Sequence, residues 1–141
     1  MRPSPYRRVL VVLDGTERGE RPLSWARHLA GPGGMLHLLI VEPPARSVRV
    51  DGRAVAFVDQ LEDSARAAAR AYLEPVASRL REEGLAVQTH VCVGDPAGIV
   101  AAALGELEAD LLVLTSGAPP GLPSTLHIPV LMSGPRCRRS A

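Results

Sequence analysis

Asp14 stands directly after the apolar run "RRVLVVL" (7–13) and opens the tripeptide "DGT" (14–16). A carboxylate at the end of a buried strand can accept ribose hydroxyls or hold a phosphate-bound Mg²⁺. In a tight loop the same residue type bonds nearby backbone N–H groups as an Asx-turn, and both readings stay open. Asp95, in "GDPA" (94–97), has the type and place of a helix N-cap, with Pro96 at the first helical position. A third stretch, "TSGAPPGLPSTLHIPVLM" (115–132), lies between two apolar runs. Phosphate binding there needs backbone N–H groups converging on the anion. Pro119, Pro120 and Pro123 have no N–H to give.

Other chemistry has little support. Ser116 and Ser124 lack the G-x-S-x-G context of a hydrolase nucleophile. Histidines 28, 37, 90 and 127 fall in different elements with no metal-ligand spacing, and read as satisfied or surface residues. Cys92 and Cys137 make neither a disulfide framework nor a metal motif. Cys137, between Arg136 and Arg138, is either a redox-sensitive thiol of lowered pKa or an ordinary thiol on the tail. The chain therefore reads as a non-enzyme with no catalytic residues and no metal.

These residues need a scaffold, and the hydrophobic pattern describes one. The β-branched run 7–13, "MLHLLIV" (35–41), "ADLLVL" (109–114) and "IPVLM" (128–132) read as buried strands, and "LAVQTHVCV" (85–93) as an alternating one. Residues 19–30 read as a helix with Pro22 in its first turn, stopped by glycines 31, 33 and 34. Val58, Leu61, Ala65, Ala69, Tyr72, Val76 and Leu80 recur at helical steps, so 54–83 reads as an amphipathic helix kinked or split at Pro75. Residues 94–107 read as a further helix and 42–54 as a loop. Strands alternating with helices imply a parallel sheet with right-handed crossovers.

Composition agrees with one ordinary domain over 1–141, with a core from 7 to 132 and a flexible basic tail over 133–141. Apolar residues make up 46% of the chain and aromatics 3%, so aliphatic side chains must fill the core. A net charge of +1 gives no footprint for nucleic acid or an anionic membrane. All sixteen basic residues are Arg, with no Lys and no Asn, a bias attributed to a GC-rich genome. The start "MRPSPYRRVLVVLDG" resembles a secretion signal, but its apolar core is too short and Asp14 follows it directly. No apolar stretch reaches the ~20 residues of a membrane span. The expected setting is a reducing cytoplasm.

In this order and spacing, "VLVVLDGTERGERPLSWARHLA", "VCVGDPAGIVAAA", "ADLLVLTSG" and "IPVLM" resemble the universal stress protein family over about residues 7–132. The resemblance implies an open five-stranded parallel sheet of order 3-2-1-4-5, in an adenine-nucleotide-hydrolase-like three-layer sandwich. It further implies a cytoplasmic dimer, and a family in which one branch binds ATP and another does not. Carried across, the nucleotide site places Asp14 near ribose and phosphates and the Val41 backbone against adenine. The family's phosphate loop runs Gly, two residues, Gly, nine residues, Gly, then Ser or Thr. Aligned on strand four, Ala118 takes the first glycine position and Gly121 the second. Leu131 then falls where the third glycine belongs, and starting from Gly117 instead puts Pro120 second. The family's fourth helix, which follows that glycine, is missing. At about 1.5–3 kcal/mol per hydrogen bond to a charged group, losing two or three costs ~3–9 kcal/mol.

Two readings of different class follow. The favoured one is a non-catalytic, dimeric stress-response and interaction module with a degenerate phosphate loop and no cofactor. Its twofold interface would use strand five at His127, Ile128, Val130 and Met132, with the 118–126 loop folded over part of the bare face. It would also engage a protein partner of unknown identity. The alternative is an ATP- or AMP-binding universal stress protein acting as a ligand-sensing regulator.

Overall fold

The protein is described by a computed structural model. The structure describes residues 6–16, 20–31, 33–44, 49–50, 53–54, 58–115, 119–122 and 126–132. The elements are β1 (Arg8–Leu13), α1 (Arg21–Ala30), β2 (Met35–Glu42), β3 (Arg49–Val50), β4 (Arg53–Ala54), α2 (Val58–Glu82), β5 (Ala86–Val93), α3 (Pro96–Glu106), β6 (Leu111–Leu114) and β7 (Val130–Met132).

Five strands form a parallel sheet in the order β5-β2-β1-β6-β7, which is the expected 3-2-1-4-5 arrangement counted along the sheet's own strands. β1 runs through the middle, with Val9 opposite Leu36 on one side and Leu111 on the other. At its foot, the Asp110 carboxylate accepts the backbone N–H groups of Arg7 (2.8 Å) and Arg8 (3.0 Å). That pins the start of β1 to the start of β6.

The continuous apolar runs are explained by burial on both faces. Val9, Val11, Leu13, Leu36, Leu38, Ile40, Leu111 and Val113 form one core with Leu23 and Ala26 of α1 and Leu73, Val76 and Leu80 of α2. Their alternates Leu10, Leu39, Leu112 and Leu114 form a second core beneath Val100 of α3. The result is helices on both faces of a sheet. Full burial of such side chains contributes about 1.5–3 kcal/mol each, so the apolar strands dominate the stability.

Three local readings change. Pro75 does not split the long helix: α2 runs unbroken over 25 residues with Pro75 inside it, on an exposed position. The buried stripe Ala69, Leu73, Val76, Ala77 and Leu80 continues across the proline. Within the expected 42–54 loop, β3 and β4 pair antiparallel as a small separate hairpin. The β7 ladder is shorter than the 128–132 run, because pairing with β6 begins at Val130. The α1–β2 connection also needs Gly34, where a Cβ would collide with the Ala30 carbonyl.

Among the described residues, the β6–β7 connection contains no helix. Leu122 N–H donates to the Pro119 carbonyl (3.2 Å) and Gly121 has φ +87°. Proline second and a positive-φ glycine third make this a type II β-turn. Leu122, Leu126 and Ile128 then pack on the α3 face of the sheet. The expectation that the 118–126 loop covers part of that face holds for Leu122 and Leu126. The tail from 133 onward lies outside the described residues.

Candidate functional site

The carboxyl ends of β1 and β2 meet the start of α3 and the Pro119–Leu122 turn, and a cleft of about 450 Å³ opens between them. Its walls are Val12, Leu13 and Asp14 from β1, Ile40 to Pro43 from β2, Pro96 and Val100 from α3, and Pro119 and Pro120. A site at this end of the sheet, near where strand order reverses, is what an open parallel sheet provides.

Asp14 is held locally. Thr16 donates both its backbone N–H (2.9 Å) and its hydroxyl (2.7 Å) to Asp14 Oδ1. This is the Asx-turn anticipated from the "DGT" sequence, and Gly15 supplies its positive φ of 82°. α2 supports the same turn from behind, because the Tyr72 hydroxyl donates to the Thr16 carbonyl at 3.3 Å. Burial raises the Tyr72 pKa to about 12, helped by the charges of Glu20 and Asp14.

The other walls are equally fixed. The Glu42 carbonyl accepts the Gly94 N–H (3.0 Å), tying the end of β2 to the loop before α3. Asp95 caps α3 as expected, with Oδ2 accepting from Gly98 N–H at 3.0 Å. Buried Thr115 donates its hydroxyl to the Val12 carbonyl (2.7 Å), locking the top of β6 against β1.

Of the residues assigned to the site from sequence, Asp14 and Val41 line the same cleft. Gly121 stands outside the lining, beside α3, where a Cβ would lie 3.7 Å from that of Ala97. Its glycine is required by the turn. Ala118 lies outside the described residues, as do Ser116, Gly117, Pro123 and Cys137.

One cluster was missed. His37 of β2 and His90 of β5 stand with Nδ1 and Nε2 3.0 Å apart and ring centroids 5.2 Å apart. One ring donates and the other accepts, so the pair is satisfied when it shares a single ring proton at the contact. Burial lowers both pKa values, and for His37 the neighbouring His90 and Arg8 charges add to it. The signal available was only that two histidines interrupt adjacent apolar strands. Among the described residues no three His, Cys, Asp or Glu gather as a metal site.

The model of the universal stress protein family matches residues 5–127, most of the chain. The chain belongs to the universal stress protein family. No curated protein sequence matches it. Among solved structures, it is similar to a universal stress protein family member from Burkholderia pseudomallei. Identity is 25%, coverage 91% of this chain and 96% of the other, and the TM-score 0.73. A universal stress protein family protein from Arabidopsis thaliana with AMP bound shares 17% identity over 89% of each chain, with a TM-score of 0.62. A universal stress protein in complex with cAMP shares 20% identity, covering 91% of this chain and 96% of that one, with a TM-score of 0.64. The family's fold thus carries this cleft, and no described helix is long and apolar enough to cross a membrane.

Proposed function

We propose that this universal stress protein is a single-domain, non-catalytic, cytoplasmic module that dimerises and has lost the family's phosphate cradle. The observation that carries the reading is the state of β7. It is the last strand of the sheet, and Val130 and Met132 are 37% and 53% exposed on it. An apolar edge strand is a template for pairing with another chain. Ile128 is half-buried against the sheet and anchors the segment, while His127 is exposed beside it. The twofold partner is a second copy pairing through residues 127–132. The loss of the cradle is supported by Pro119 and Pro120, which stand in the cleft wall without N–H groups. The test is the double variant Val130→Glu/Met132→Glu in sedimentation velocity. It is expected to give soluble, folded monomers where the wild type gives dimers. Sedimentation like the wild type would rule out strand β7 as the interface.

A second reading, an adenine-ligand-binding regulator, is favoured by one observation: the cleft brings Asp14 and Val41 together in about 450 Å³. Pockets of a few hundred Å³ suit small organic ligands. Proteins of this fold are recorded with AMP and with cAMP. In this reading Asp14 faces the ribose and Val41 the base, with Ala118 and Gly121 as the remnants of the loop.

A further inference from the structure

The cleft has a definite electrical character. Two of the residues that line it, Asp14 and Glu42, are acidic, and the described lining contains no Arg or His. Four more lining residues are prolines, at 43, 96, 119 and 120, and none can donate a backbone hydrogen bond. The α3 N-terminus would ordinarily attract an anion. Here Asp95 already occupies it, with its carboxylate accepting the Gly98 N–H, and Pro96 removes the next donor. Among the described lining residues, a phosphate entering this space meets two acidic side chains and four prolines without an N–H.

The same wall suits an uncharged ligand. Val41, partly exposed at the end of β2, offers an apolar contact to a flat ring. Both hydrogen bonds that Asp14 accepts from Thr16 fall on Oδ1. Among the described residues, Oδ2 is the acceptor that remains for a ligand hydroxyl.

We infer that the cleft selects an uncharged nucleoside of the adenosine type over its phosphorylated forms, the reverse of the order a phosphate cradle would impose. This rests on the adenine-ligand reading above and adds the charge selectivity. Titration calorimetry with adenosine, AMP and ATP, with and without Mg²⁺, tests it. Adenosine is expected to bind tightest, and ATP at least about tenfold more weakly, because like charges repel strongly beside a low-dielectric wall. The ratio should narrow in 1 M salt, where the screening length falls to about 3 Å. Glu42→Gln, which removes one charge and keeps the shape, should also narrow it. ATP or AMP binding more tightly than adenosine would overturn the inference and leave the adenine-ligand reading standing. An unchanged ratio in both Glu42→Gln and high salt would overturn the charge argument. Binding of none of the three at millimolar concentration would overturn both together.

Discussion

Asp14 and Asp95 show how far single residues can be read. Each is fixed by neighbours within three positions: Asp14 by Thr16, Asp95 by Gly98. Local chemistry of this kind is written into "DGT" and "GDPA", and both the Asx-turn and the cap were legible there. His37 and His90 are 53 positions apart in sequence. Their meeting depends on the β2–β5 register, in which His37 lies opposite Gln88 and Leu39 opposite His90, and no local pattern encodes it. Asp95→Ala should lower unfolding stability by about 1 kcal/mol, the usual loss for an N-cap. Urea denaturation would read that as a lower midpoint with an unchanged slope. An unaltered midpoint would mean that Gly98 N–H finds another acceptor.

At the scale of elements, β5 is joined to the sheet only through β2, and the histidine pair sits across that seam. Burial holds both histidines below the ordinary value of 6.5. The unfolded chain therefore binds protons as pH falls through about 6.5, while the folded pair still resists them. Stability is at its full value above that pH and declines below it, until the lowered folded pKa values are passed. Denaturation midpoints at pH 7.5 and 5.5 should show the decline. His90→Gln, which cannot titrate, should shrink it. A wild type equally stable at both pH values would contradict this account. The element boundaries themselves follow from hydrophobic period. The exceptions are the β3–β4 hairpin, the later start of β7, and Pro75, where a buried stripe on both sides outweighs a propensity penalty of about 3 kcal/mol and keeps α2 whole.

For the whole molecule, alternating strands and helices announced a parallel sheet, but strand order is a tertiary fact. It came from the resemblance of four segments in sequence to a known family, and periodicity alone does not distinguish it from other windings. The β6–β7 connection was legible in part. "PPG" at 119–121 specifies a turn, and the packing of Leu122, Leu126 and Ile128 under it does not follow from any local rule. On the proposed function, ATP should stabilise the folded protein little. A 1 µM site with 1 mM ligand would contribute ~4 kcal/mol, and the expected gain here is under ~1 kcal/mol. For a chain of this size that is a rise of no more than about 4 °C in Tm with Mg-ATP. A rise of ten degrees would restore the phosphate loop to function and sink the interaction-module reading.

Because β1 pairs with both β2 and β6, the centre of the sheet joins the beginning of the chain to its last quarter. During synthesis, β1, β2 and β5 can assemble with α1 and α2 once residue 93 has emerged. Leu10 and Leu39 then have no cover, since Val100, Leu112 and Leu114 have yet to emerge. One side of the nascent sheet is oily, and the open flank of β1 is free to pair with a stranger. The vulnerable interval lasts at least until residue 114 leaves the ribosome, a few seconds at ~5–20 residues per second. A chain truncated after residue 93 should bind a hydrophobic dye and aggregate, or require a chaperone to stay in solution. If that fragment remains a dye-silent monomer, the early sheet protects itself and the late strands merely complete it.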